Sequence, residues 1–195
     1  MRNAEATRKR ILEAATAEFA EHGIAGARVD RIALSAATNK AQLYSYFGNK
    51  DALFDATFTA HVLANVDSVE LTVEDLPGYA VRLYDAYLDD PALIRLITWA
   101  RLERTPTGYL FGDLGHYDVD NHARIARAQA DGVLIDDLEP GDLWALLISL
   151  AGTWAQASIV HAADPDEPAP DHERRRRALA ATTRRAFTTE VAQHS

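Results

Sequence analysis

Cysteine is absent from this chain of 195 residues, so no disulfide staples the fold and no thiolate holds a metal. Long apolar runs are missing as well. No stretch reaches the roughly 18 apolar residues of a membrane-spanning helix, and no membrane partner is expected. The opening residues MRNAEATRKR lack the apolar core of a signal peptide, which makes the cytoplasm the expected location. Nowhere do apolar and polar residues alternate over strand length between hairpin turn signals. The chain also lacks GxSxG, HExxH and phosphate-loop signatures, so an enzyme is not expected. What is present is ordinary for a folded protein: 48% hydrophobic and 25% charged residues.

The net charge of −9 argues at first against a nucleic-acid partner. Its distribution argues otherwise. Residues 1–50 hold eight Arg/Lys against five Asp/Glu, a net +3, whereas residues 51–195 hold twelve against twenty-four, a net −12. An acidic body repels DNA, while a small basic end can be held against it.

Helical periodicity runs almost throughout. Ile11, Leu12, Ala15, Phe19 and Ala20 follow the helical repeat within Ala4–Glu21, and Gly23 stops that segment. Further helices are expected over Val29–Ala36, Lys40–Phe47 with Asn39 as its cap, and Lys50–Glu70 with Asn49 as its cap. The next begins near Pro77-Gly78 and runs through Leu88, and another runs from Pro91 to Glu103. Three more are expected over Val119–Ala130, Asp142–Ala163 and His172–Ala192. The fold class is therefore all-α with about nine helices.

The stretch ARVDRIALSAATNKAQLYSYFGNK (Ala27–Lys50) reads as a helix, a tight turn and a second short helix. Val29, Ile32 and Ala33 form a bracing face, and Ala36 and Ala37 suit the turn. Leu43 and Phe47, four residues apart, point inward, which leaves Lys40, Gln42, Tyr44 and Tyr46 outward. Such a helix can lie in a DNA major groove. Lys40 can donate to guanine acceptors and Gln42 can bond adenine at two atoms. Tyr44 and Tyr46 suit phosphate contacts, and Arg28 and Lys50 sit where they could clamp the backbone. The same residues also fit a plain packed helical hairpin.

On these residues the chain resembles the tetracycline-repressor (TetR) family. The matching pieces are T-R-x-x-I-L-x-A-A-x-x-x-F (Thr7–Phe19), Gly23, V-x-x-I-A (Val29–Ala33) and L-Y-x-Y-F-x-x-K-x-x-L (Leu43–Leu53). The resemblance implies a three-helix DNA-binding head over residues 1–49 and a helical ligand-binding and dimerisation body over 50–195. It implies a homodimer joined through the last two helices, a double-stranded palindromic operator, and release by a small-molecule effector. By position, the DNA contacts are Lys40, Ala41, Gln42, Tyr44, Tyr46 and Lys50, with Arg28 beside them. The chain departs from the family pattern where Ala27 and Arg28 replace the usual hydroxyl residue. It departs again at the turn, where Ala37 and Thr38 replace glycine and an apolar residue; Ala37 is expected to strain that turn.

In the body, Leu146, Leu150, Thr153, Ala157 and Val160 form one stripe of the expected Asp142–Ala163 helix, a candidate dimer seam. Ligand pockets are mostly apolar with a few placed polar groups. The candidates here are Tyr84, Tyr87, Trp99, Glu103, Tyr117, Trp144 and Trp154. Arg174–Arg177 reads as a surface or dimer-rim run of ion pairs rather than a DNA patch. His116, Asp118, Asp120 and His122 could share helix faces as metal ligands, but the segment lacks the EF-hand glycine and terminal Glu. It reads as a solvated junction, and no metal or cofactor is expected. Two other readings stay open: a helical scaffold with a non-functional DNA head, and an activator without a small ligand.

Overall fold

The computed structural model describes residues 2–108, 110, 115–156 and 158–189, with side chains for all of these except 2, 3 and 115–117. The described residues form nine α-helices and no strand. These are α1 (Arg2–Gly26), α2 (Val29–Ser35), α3 (Lys40–Phe47), α4 (Lys50–Ser68), α5 (Leu76–Asp89), α6 (Pro91–Glu103), α7 (Gly115–Ala130), α8 (Pro140–Ala151) and α9 (Ala169–Phe187). A single antiparallel bridge links Leu134 to Thr188. No described helix is long and apolar enough to cross a membrane.

The helix starts follow their capping residues. Asn39 accepts the Gln42 amide at 2.8 Å and opens α3, and Asn49 accepts the Ala52 amide at 2.8 Å at the start of α4. Asp75 accepts the Gly78 amide at 2.9 Å at the head of α5. Proline lies in the first turn of α5, α8 and α9, where its missing N–H costs nothing.

The chain divides into two compact units. The first comprises Met1–Asn65 and Ala92–Leu110, the second Val66–Pro91 and Phe111–Ser195. In the first unit Ile11, Phe19, Ile32, Leu43 and Leu53 are fully buried. Phe19 meets Phe54 edge-on at 5.2 Å, and Phe54 stacks on Phe58 at 5.9 Å. Helix α3 has eight residues, too few to be stable alone. Leu43 and Phe47 anchor it, each worth about 2 kcal/mol on burial. The second unit packs α5 against α9 and α8, with Leu76, Leu83, Tyr84, Ile125, Leu143, Leu147 and Leu179 in its core.

Helix α7 begins at Gly115 rather than Val119, and the last two helices depart further from the bounds expected. The helix expected over Asp142–Ala163 ends at Ala151, followed by a 3-10 turn over Gly152–Trp154. Gly152 weakens the helix there, Ala155 is extended, and the Ala163 amide bonds back to the Trp154 carbonyl at 2.8 Å. The proposed stripe is therefore split. Leu146 and Leu150 stay on α8, Thr153 is in the turn, Val160 lies in the following loop, and Ala157 is outside the described residues. The last helix begins at Ala169 and stops at Phe187, because the chain then becomes extended to bridge Leu134. Residues 190–195 lie outside the described residues.

Candidate functional site

Helix α3 has two unlike faces. Leu43 and Phe47 are buried beneath it, while Lys40, Ala41, Gln42 and Ser45 are exposed and Tyr44 and Tyr46 are half-buried. The exposed groups are only lightly engaged. Lys40 pairs with Asp30 of α2 at 3.2 Å, both well exposed, and the Gln42 side-chain oxygen accepts the Thr38 hydroxyl at 2.6 Å. Surface contacts of this kind are worth at most about 1 kcal/mol and can be exchanged for other partners. Arg8 lies over the Phe47 ring at 5.4 Å, adding a cation on the same side of the unit as the end of α3.

Arg28 is the residue before α2, with an exposed side chain. Lys50 is half-buried, and its ammonium donates to the carbonyls of Ala25 and Ala27 at 3.1 and 3.3 Å. It thus ties the start of α4 to the chain between α1 and α2. An ammonium has three donors, so two such bonds leave one available.

The residues singled out as pocket candidates fall into separate groups. Trp99 and Glu103 are on α6 in the first unit, against α1. In the second unit Trp144 stacks on Tyr79 at 6.1 Å and donates its indole N–H to Asp118 at 2.9 Å. Tyr84 and Trp154 meet edge-on at 5.9 Å, and a Cβ added to Gly152 would lie 3.9 Å from the Tyr87 ring. Burial pushes the Tyr87 hydroxyl up to about 12. The side chain of Tyr117 lies outside the described residues, as does that of His116. No cluster of three or more metal-ligating side chains exists among the described residues.

Two family descriptions match this chain. "Bacterial regulatory proteins, tetR family" covers residues 11–57, and "Tetracyclin repressor-like, C-terminal domain" covers residues 75–185. The HTH-type transcriptional repressor SCO4008 of Streptomyces coelicolor is 41% identical over 160 residues, 79% of this chain and 80% of that one. The chain belongs to the TetR family. The HTH-type transcriptional repressor NicS of Pseudomonas putida is 28% identical over 146 residues, 71% of this chain and 64% of its own. Among solved structures, the transcriptional regulator SCO4942 of Streptomyces coelicolor aligns with a TM-score of 0.78 at 38% identity, covering 93% of this chain and 98% of that one. TetR proteins are DNA-binding transcriptional regulators rather than enzymes, they act as dimers, and they respond to small-molecule effectors.

The two departures from the TetR pattern have structural answers. No side chain of α2's own segment caps that helix. Instead Glu18 of α1 accepts the Arg28 amide at 2.7 Å and grips Arg31 through three bonds of 2.6 to 3.0 Å. Burial raises the Glu18 carboxyl, but the Arg31 hydrogen bonds, the Arg28 amide and the Arg31 charge together leave it below the ordinary carboxylate value. Glu18 was missed from sequence, although it lies seven residues after Ile11 on the buried stripe of α1, where a carboxylate requires a partner. At the turn Ala37 takes φ 49°, the left-handed region expected to strain it. Arg10 of α1 donates to the preceding Ala36 carbonyl at 3.3 Å and helps hold that turn.

Helix α6 holds α1 by contacts that its sequence alone does not show. Arg95, Trp99 and Glu103 recur every four residues and so share one face. Arg95 Nε and Trp99 Nε1 donate to the Ala20 carbonyl at 2.7 and 3.3 Å, and Glu103 accepts the Ala25 amide at 2.7 Å. All three grip α1 around Gly23, where φ 71° and ψ −177° break the helix. Beyond α6, Arg104 lies over the Phe54 ring at 4.7 Å, pairs with Asp51 at 2.7 Å and also pairs with Asp55. The spacing of the α6 residues was visible in the sequence, but their partners on α1 were not.

Proposed function

We propose that this TetR protein is a repressor that binds a palindromic operator as a homodimer and is released by a small molecule. The observation that carries the reading is α3 itself, a short helix pinned by Leu43 and Phe47 that leaves Lys40 and Gln42 exposed. Both named relatives are repressors, which supports repression over activation. In this reading residues 1–49 form the DNA-reading head and residues 50–195 the effector-binding and dimerising body. Lys40 and Gln42 read base edges, and Ala41 packs where a thymine methyl would lie. Arg28, Tyr44, Tyr46 and Lys50 contact phosphates.

The dimer forms through α8, α9 and the loop between them. Leu146 is half exposed, and Ile159 and Val160 are almost wholly exposed. Exposed apolar groups of that size suit burial in an isologous interface with a second copy. The two reading helices then face successive major grooves about one helical turn or more apart. The effector acts by binding the non-reading state more tightly, and can shift the equilibrium only by that difference in affinity.

The test is selection of sites from a random duplex pool, with binding repeated at two salt concentrations. A palindrome should be enriched, and affinity should fall by about 10³ or more between roughly 50 and 200 mM salt if six or more phosphates are neutralised. Weak binding without enrichment would turn the argument toward a scaffold with a silent head.

A further inference from the structure

The amide of Gln42 does not hang free on the reading helix. Its side-chain oxygen lies 2.6 Å from the Thr38 hydroxyl. That separation is the length of an O–H···O bond and is shorter than the usual N–H···O contact. The hydroxyl therefore donates, and the amide turns its oxygen, not its nitrogen, toward Thr38.

Of the two residues, Thr38 is the fixed post and Gln42 the movable arm. Thr38 is half-buried, and its backbone amide bonds the Ala33 carbonyl of α2 at 2.9 Å. Its branched side chain has little freedom about χ1. Gln42 is exposed, and its backbone amide is fixed by the Asn39 side chain at 2.8 Å. It lies in the first turn of α3, the part of a reading helix that meets base edges. A side chain held this way loses less freedom on binding than a loose one.

The bond changes what Gln42 offers to a base. A glutamine reads adenine with both ends of its amide, the nitrogen donating to N7 and the oxygen accepting from N6. Here the oxygen already accepts from Thr38, so the group left to face a base is the NH2, with two donors. Guanine answers with two acceptors, O6 and N7, whereas adenine sets one acceptor beside a donor. Thymine offers one acceptor and cytosine none. The amide oxygen keeps a second lone pair, so adenine is disfavoured and not excluded.

We infer that Thr38 sets the base preference of Gln42, turning a side chain suited to adenine into a reader of guanine. Thr38 is thus a positioning residue that acts through Gln42. Threonine stands where the TetR pattern has an apolar residue, which has no hydroxyl to give. The inference rests on the base-reading role given to Gln42 above.

The test is site selection from a random duplex pool with the full chain, as wild type, Gln42→Ala, Thr38→Val and Thr38→Ser. The position that loses its preference in Gln42→Ala is the one Gln42 reads. There the wild type should favour guanine over adenine about tenfold. Thr38→Val keeps the branched shape and removes the donor. It should move that ratio toward adenine by about fivefold or more and leave the other positions alone. Thr38→Ser keeps the hydroxyl and should keep guanine. Any other base at that position in the wild-type site would overturn the proposal. So would the same preference in wild type and Thr38→Val, or an unchanged ranking in Gln42→Ala. Equal shifts in Thr38→Ser and Thr38→Val would assign the effect to the threonine methyl and overturn it too. All these results leave the repressor reading standing, because each includes an enriched palindrome. No enrichment by the wild type would sink that reading, and the base preference with it.

Discussion

Replacing Gly23 by alanine should be among the most damaging single-methyl changes in the head. The backbone there has φ 71° and ψ −177°, a combination open essentially to glycine alone. Forcing alanine into it costs on the order of 1–3 kcal/mol. The added Cβ would lie 2.5 Å from Glu103 Oε1 and 2.8 and 2.9 Å from two atoms of the Trp99 ring. Glu103 could swing away, but only by releasing the Ala25 amide, and Trp99 is tied to the Ala20 carbonyl. Overpacking of this kind costs about 1–3 kcal/mol more. The sum is roughly 2–6 kcal/mol, or about 4–24 °C in Tm if the chain melts as one cooperative body. The assay is urea and thermal unfolding followed by helical circular dichroism and tryptophan fluorescence.

Gly48→Ala is the matched control. Its φ is 80° in the same unit, but nothing lies within 4 Å of the added carbon. That change carries backbone strain without the collision. If Gly23→Ala is no more destabilising than Gly48→Ala, the grip of α6 on α1 is loose and the reasoning fails.

Further outcomes follow from the same geometry. Ala37→Gly should stabilise the chain by up to about 1 kcal/mol in urea, because it removes the left-handed penalty at φ 49° and gives back part of it as unfolded-state entropy; a loss of stability would show that the alanine methyl packs usefully. Glu18 has a folded pKa below its unfolded value, so its contribution is complete above the unfolded pKa and disappears as pH falls through the folded one. Acid unfolding of Glu18→Gln should accordingly depend less on pH below about 5 than that of the wild type, and parallel curves would contradict the role given to Glu18. Gln42→Ala should change base preference at one position of each half-site, whereas Tyr44→Ala should weaken all sites alike; an unchanged site ranking for Gln42→Ala would remove it from base reading. Leu146→Arg should shift the protein toward monomer in analytical ultracentrifugation, and an unchanged dimer would place the seam elsewhere.

The sequence by itself determined the helices and the reading motif. Asn39 and Asn49 announce the starts of α3 and α4, and Leu43 and Phe47 mark the buried side of the reading helix. These signals are local: a cap and its amide are three residues apart, and a helix face repeats about every 3.6 residues, so one stretch of chain carries the whole message. The helix expected to reach Ala163 shows where local signals stop. Its apolar run continues past Gly152, but the chain turns back there so that Ala163 can bond Trp154.

Tertiary structure alone decided what satisfies each buried polar group. Glu18 caps a helix ten residues away, Glu103 accepts from Ala25 across 78 positions, and Tyr84 reaches His172 across 88. Nothing in a helical pattern specifies such partners, because any carboxylate or hydroxyl can serve wherever packing delivers it.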